Sequence, residues 1–208
     1  MNVVAINGSP KKEGNTYFAL RTMADEMEKD GISTEIIHVG GMNIRGCTAC
    51  GACRESADSL CAFDDDALNG IALKMRRADG ILLGSPTYYG SIAGNMKCFL
   101  DRAFYTSSAH FSYKVGAAVA VVRRTGGLGT LHQLENYLNL GRTVMPPSMY
   151  WTVVHGMQPG EVAQDTEGIQ TIRGHAQAMS WLLRCLEAAR ATVPTPPVEE
   201  RVRTNFIR

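Results

Sequence analysis

Short apolar runs alternate with helical periodicity along the whole chain. Residues 2–6 (NVVAI) form a β-branched run ended by Asn7 and Gly8, which predicts a first strand. Leu20, Met23, Ala24 and Met27 then recur at the spacing of one helix face, and Gly31 stops that helix. Residues 33–39 alternate as a second strand. Leu68, Ile71, Ala72 and Met75 predict a second helix. It is entered through Asp64, Asp65 and Asp66, whose carboxylates suit the positive end of a helix dipole. Residues 80–83 (GILL) read as a buried strand. Met96, Phe99, Leu100 and Ala103 predict a third helix. Residues 115–122 are an unbroken apolar run, as in a strand covered on both faces. Leu128, Leu131, Leu134 and Leu138 give a fourth helix, closed by Gly141. A fifth strand, residues 143–145 and 150–154, is interrupted at Pro146 and Pro147. Ile172, Ala176, Met179, Leu183 and Leu186 mark a long last helix, which Asp165 and Thr166 can cap. This α/β rhythm predicts a doubly wound, five-stranded, mostly parallel sheet. Ligands of such sheets bind outside the carboxyl ends of the strands.

The 208 residues fit one α/β domain, and 45% hydrophobic content is ample for its core. The chain carries 21 Lys+Arg against 20 Asp+Glu, a net charge of +1, which gives no electrostatic footprint for nucleic acid. No stretch approaches ~20 uninterrupted apolar residues, so no membrane span is expected. The opening MNVVAINGSPKKEGNT lacks a basic n-region, so we expect a cytoplasmic protein that begins with its first strand. After Ala191 the chain turns Pro-rich and then charged, which points to a surface-bound tail or a subunit contact.

Three loops carry candidate chemistry. The first, Gly8 to Thr16 (GSPKKEGNT), joins a strand to a helix. It is neither a Walker A loop nor a G-x-G-x-x-G fingerprint. It still has the parts of a phosphate cradle: Gly8 and Gly14 for close approach, Ser9, Asn15 and Thr16 as donors, Lys11 or Lys12 for charge. The helix start adds free N–H groups. Capping of an ordinary strand–helix turn would use the same residues. The second loop runs from Ser85 to Asn95. Its Tyr88 and Tyr89 are placed to flank a planar ring, unless they only seal the following helix. The third, Arg123 to Gly129, combines glycines with arginines that could stabilise negative charge, or be solvated in a plain turn.

Six cysteines stand at 47, 50, 53, 61, 98 and 185, and the first four fall within fifteen residues. Such a cluster in a cytoplasmic chain points to metal binding or redox chemistry. Cys98 and Cys185 lie in apolar helical patterns and are expected to be small buried hydrophobes. The five histidines show no metal-ligand spacing and are expected to be surface or structural residues.

G-S-P-K-K-x-G-N-T after the first strand resembles the phosphate loop of the flavodoxin-like, NADPH-dependent FMN reductase family. S-P-T-Y-Y-G-S-I-A-G-N-M-K-C-F-L-D-R is similar to that family's flavin-ring loop and following helix. R-x-G-G after the fourth strand resembles its third contact, and Y-W-T-V-V-H-G-M-Q-P-G-E-V and D-T-E-G are also similar to members. The likeness spans residues 3 to about 190. Cys47-x-x-Cys50-x-x-Cys53, followed after seven residues by Cys61, resembles the compact motif of the iron–sulfur flavoprotein branch.

The resemblance implies strand order 2-1-3-4-5, non-covalent FMN and a homodimer or homotetramer. Residues 1–190 would form the FMN-binding domain, with a cysteine-rich insertion at 46–61, and 191–208 a tail. Ser9, Lys11, Gly14, Asn15 and Thr16 would hold the phosphate. Pro86, Thr87, Tyr88, Tyr89, Gly90 and Ser91 would hold the ring, with Arg123, Gly126 and Gly127. Cys47, Cys50, Cys53 and Cys61 would ligate a 4Fe–4S cluster, since thiolates select such clusters. Gly46 and Gly51 would let the backbone wrap around it. A four-thiolate zinc, a disulfide and plain reduced thiols remain alternatives. The expected function is electron transfer between NAD(P)H or a ferredoxin-like donor, FMN and the cluster, with no acid–base residue required. A cluster-free FMN, quinone or metal-ion reductase, an electron carrier and a redox sensor are the alternatives. The near-neutral charge disfavours a carrier. Residues 105–113, an aromatic-bearing polar loop in this reading, and the Pro-rich tail suggest subunit contacts.

Overall fold

The computed structural model describes residues 1–197 together with Glu199, Val202, Thr204 and Phe206. Strands β1 (Asn2–Asn7), β2 (Ser33–His38), β3 (Gly80–Tyr88), β5 (Val115–Val122) and β6 (Val153–His155) form a parallel sheet in the order β2-β1-β3-β5-β6. A short strand β4 (Ser91–Ile92) pairs antiparallel with the end of β3. Counted among themselves, the five parallel strands stand in the expected order 2-1-3-4-5.

Strand alternation divides the core in two. Val4 and Ile6 of β1, Ile81 and Leu83 of β3, and Ala118 and Ala120 of β5 face one side. They meet helices α3 (Leu68–Arg77), α4 (Gly94–Phe111) and α5 (Gly127–Leu140) through Met75, Met96, Phe99, Leu131 and Leu134. Val3, Ala5, Leu82, Val115, Ala117 and Val119 face the other side. There α1 (Asn15–Glu28) contributes Leu20 and Met23, and α6 (Thr166–Ala189) contributes Ile172, Ala176 and Met179. Burial on both faces is why these strands read as continuous apolar runs rather than as alternating ones.

The structure corrects several boundaries. β3 continues through Gly84, Ser85 and Pro86 to Tyr88, so the expected second loop is mostly a hairpin. Its two-residue turn is Tyr89-Gly90, with φ of +52° and +73°. Residues 105–113 are not a loop: α4 runs to Phe111, which is fully buried edge-on against Phe104 at 5.0 Å. The polar residues there disguise a buried turn, because Ser107 accepts from Arg76 and Thr106 hydrogen-bonds its own helix. The fifth strand begins as a single bridge from Val144 to Val115 and resumes at Val153, after the prolines. Asp165 caps α6 by accepting from Gly168 N at 2.9 Å.

Cys185 is exposed, not buried, and Cys98 is half-buried. Leu183 is the last core residue of α6, so Cys185 lies beyond the covered part of the helix. A four-residue helix, α2 (Ala52–Glu55), sits in the cysteine segment. Most of the expected tail after residue 197 lies outside the described residues. Among the described residues no helix is long and apolar enough to cross a membrane.

Candidate functional site

The loops after β1, β3 and β5 meet at the carboxyl edge of the sheet around an open cleft of ≈ 180 Å³. The first loop is folded by its own side chains. Asn7 Oδ1 accepts from Ser9 N at 3.0 Å, Asn7 Nδ2 donates to the Lys12 carbonyl, and Ser9 Oγ accepts from Lys11 N. His38 Nε2 lies 2.7 Å from the Ser9 carbonyl and braces the loop from β2. The N-cap of α1 is Gly14, which offers no side-chain cap. The first-turn N–H groups of α1 therefore have no intrahelical partner and no cap, the arrangement that receives an anion. Lys11 stands at the same cleft.

Of the residues expected to bind cofactor, Ser9, Lys11, Gly14, Asn15, Thr16, Pro86, Thr87, Tyr88 and Arg123 line this cleft. The Asn15 side chain also ties the cleft wall to the loop after β6. It accepts from Gly160 N and donates to the Gln158 carbonyl, both at 2.8 Å. Tyr89, Gly90, Ser91, Gly126 and Gly127 are not in the cleft wall. Tyr89 is fully solvent-exposed at the hairpin tip. Ser91 Oγ lies 2.7 Å from Gln133 Oε1. Gly126 has φ +89°, and a Cβ there would lie 3.3 Å from Gly90 Cα, so this glycine packs beneath the hairpin turn, while Arg123 of the same loop reaches the cleft.

Val121, Gly156, Met157 and Pro159 also line the cleft. The H-G-M-Q-P-G stretch was visible in the sequence as a family-like segment, but periodicity gives no sign that it folds back beside α1. The Asn15 hydrogen bonds do that.

The second constellation lies after β2. Cys47, Cys50, Cys53 and Cys61 line one narrow hollow of ≈ 20 Å³, with Phe63, Arg102 and Tyr105 in its wall. All four are free thiols. Cys47 and Cys50 are exposed, whereas Cys53 and Cys61 are half-buried. Burial pushes the Cys53 thiol up, and the nearby Cys61, Cys47 and Cys50 add to this. Two arginines stack on aromatic residues of the wall. Arg45 stacks on Phe63 with its guanidinium 4.1 Å from the ring centre, and Arg54 stacks on Tyr105 at 4.7 Å.

Among the described residues no group of three or more His, Cys, Asp or Glu is drawn together closely enough to hold a metal ion, of zinc or iron alike. Four soft thiols around a shared hollow suit a larger iron–sulfur core. Helix α4 ties the two constellations together. Asn95 donates to the Gly40 carbonyl beside the first loop, and Arg102 donates to the Arg45 carbonyl beside the cysteines.

Comparison with known proteins bears on family and fold. The profile of the NADPH-dependent FMN reductase family matches residues 1–158. An iron–sulfur flavoprotein of Methanocaldococcus jannaschii is 31% identical over 195 residues, spanning 90% of this chain and 100% of that protein. An iron–sulfur flavoprotein of Methanosarcina thermophila is 28% identical over 195 residues, spanning 91% and 99%. The crystal structure of RosB, with a bound 8-demethyl-8-formylriboflavin-5'-phosphate intermediate, superposes with a TM-score of 0.69 at 17% identity. That match covers 100% of this chain and 94% of RosB, and it is a likeness of fold.

Proposed function

The chain belongs to the NADPH-dependent FMN reductase family, and we propose that this FMN-dependent oxidoreductase is an iron–sulfur flavoprotein carrying a 4Fe–4S cluster. The observation that carries this reading is that Cys47, Cys50, Cys53 and Cys61 all line one hollow, although seven residues separate the last two.

The residues fit both groups. The uncapped first turn of α1, with Ser9, Lys11 and Thr16, would hold the FMN phosphate. Pro86, Thr87, Tyr88 and Arg123 would hold its ring. The four cysteines would hold the cluster. When bound, FMN supplies hydride acceptance from a nicotinamide and the cluster supplies one-electron transfer. The chain itself orients the ring. The β3–β4 hairpin forms one wall of the cleft, and the loop after β6, fixed by Asn15, forms the other. No side chain has to move a proton for that task, and we assign none as catalytic.

The partners we propose are NAD(P)H or a ferredoxin-like redox protein. A reducing compartment, the cytoplasm, suits six free thiols. The test is a visible spectrum of anaerobically purified protein. Vibrational structure in the blue from FMN, with a broad brown shoulder, supports the reading. A flavin spectrum alone, after reconstitution with iron and sulfide, reduces it to a cluster-free FMN reductase.

A further inference from the structure

Among the described residues Arg102 is the largest fully buried side chain, at 1% exposure, and it is a charged one. A buried guanidinium is costly unless its donors are satisfied. Here Asp66, with a side chain 7% exposed, takes one N–H group. The Arg45 carbonyl at 3.2 Å and the Phe63 carbonyl at 2.8 Å take others. The remaining contacts go to sulfur. Nε and Nη2 both lie 3.4 Å from Cys61 Sγ.

The same cysteine is held from a second helix. Asn69 Oδ1 accepts from Cys61 N and Asn69 Nδ2 donates to the Cys61 carbonyl, each at 2.9 Å. Arg76 donates to the carbonyls of Asp58 at 2.7 Å and Ser59 at 2.9 Å, fixing the chain just before it. Cys47 and Cys50 are exposed by contrast.

We propose that Arg102 and Asn69 are positioning residues that preset Cys61 as the anchoring ligand, and that the guanidinium raises the cluster's reduction potential. The inference rests on the four-thiol reading above. Its physical basis is twofold. Seven residues separate Cys61 from Cys53, so without a clamp the fourth ligand would have to be ordered at the expense of binding. Hydrogen bonds and positive charge at a ligand sulfur favour the more negative, reduced state. Asp66 neutralises the pair as a whole, yet the guanidinium lies between that carboxylate and the sulfur.

The test uses the full chain, loaded with FMN and reconstituted anaerobically with iron and sulfide. The double variant D66N/R102Q replaces the ion pair by a neutral one, leaving no uncompensated buried charge. R102K keeps the charge but loses the fork. N69A releases the Cys61 backbone. The readouts are iron per chain, the midpoint potential followed by electron paramagnetic resonance, and amide exchange of residues 54–67 in the cluster-free chain.

We expect wild-type FMN affinity in all three variants. The midpoint potential shifts downward in D66N/R102Q, with R102K in between. Amide exchange at Cys61 quickens in N69A, and its iron content falls. A folded D66N/R102Q with unchanged potential and iron overturns the role of Arg102, and unchanged exchange in N69A overturns that of Asn69. If D66N/R102Q does not fold, R102K and N69A carry the same comparison. Wild-type protein that takes up no iron overturns the four-thiol reading and this inference with it. Normal uptake with unshifted variants removes the clamp alone.

Discussion

Asn15, in the first turn of α1, is hydrogen-bonded to Gly160 in the loop after β6, with Oδ1 accepting from the Gly160 N–H at 2.8 Å. The pair ties the cleft wall, to which Asn15 belongs, to the loop after β6. Removing the amide strands the Gly160 N–H and the Gln158 carbonyl. Asn15→Ala should therefore cost about 1–3 kcal/mol of stability and weaken FMN binding through the loosened loop. Thr16→Ala should weaken FMN binding with little loss of stability. Denaturant unfolding of the flavin-free chain, with fluorescence titration of FMN, separates the two effects. Equal stability of N15A and wild type would remove the brace.

Gly40 packs against the first loop with no room for a side chain. A Cβ there would lie 2.1 Å from the Ser9 carbonyl oxygen, a backbone atom that cannot rotate away. Gly40→Ala should displace the loop, destabilise the protein by roughly 1–3 kcal/mol and lower FMN affinity. Gly70, with open space around its Cβ position, is the control. Unchanged FMN affinity in G40A would show that the loop geometry is not required.

His175 is 93% buried by its 7% exposure, and burial holds its imidazole below the ordinary value of 6.5. The neutral ring is thus favoured in the folded chain, and the unfolded chain takes up the proton first. Stability should fall as pH drops through about 6.5. The decline should be shallower in His175→Gln. Chemical unfolding between pH 7.5 and 5.5 measures this, and identical slopes in both proteins would contradict it.

The resemblance implies a dimer or tetramer, with residues 105–113 and the Pro-rich tail as expected subunit contacts, and residues 105–111 form the end of helix α4, with Tyr105 still exposed. A different surface supports the same proposal. Met149, Tyr150 and Trp151 are consecutive, 68%, 60% and 51% exposed, and precede the edge strand β6. Apolar aromatics of this kind mark protein contacts. Light scattering at micromolar concentration should give at least twice 22.6 kDa, with a shift toward that mass in Trp151→Ser. A wild-type mass near 22.6 kDa would rule out the assembly.

The legible parts of the fold were those set by periodicity. Val115–Val122 appears in the structure with the bounds its apolar run suggested, because burial on both faces leaves no other reading. The Leu128 to Leu138 spacing marked α5 for the same kind of reason. Elements held by buried polar contacts were hidden. The end of α4 looked like a loop because Thr106 and Ser107 are buried only with their hydrogen bonds made. Gly84 and Pro86 resembled a strand end, yet Pro86 still occupies a register position opposite Val121. In the site, the first loop was legible from its residue types. The Asn15 brace was not, since its partners lie more than 140 positions away. Arg102 was visible only as part of F-L-D-R, and nothing in spacing links it to Cys61, 41 positions earlier.

The account stands on the four thiols, and one measurement tests it most directly. The full chain is reconstituted anaerobically, assayed for iron and sulfide, and examined by electron paramagnetic resonance after reduction. The account predicts about four irons and four sulfides per chain, a resonance from the reduced cluster, and loss of both in Cys50→Ser. Zinc in the reconstituted protein, or no bound iron beside normally bound FMN, would contradict it.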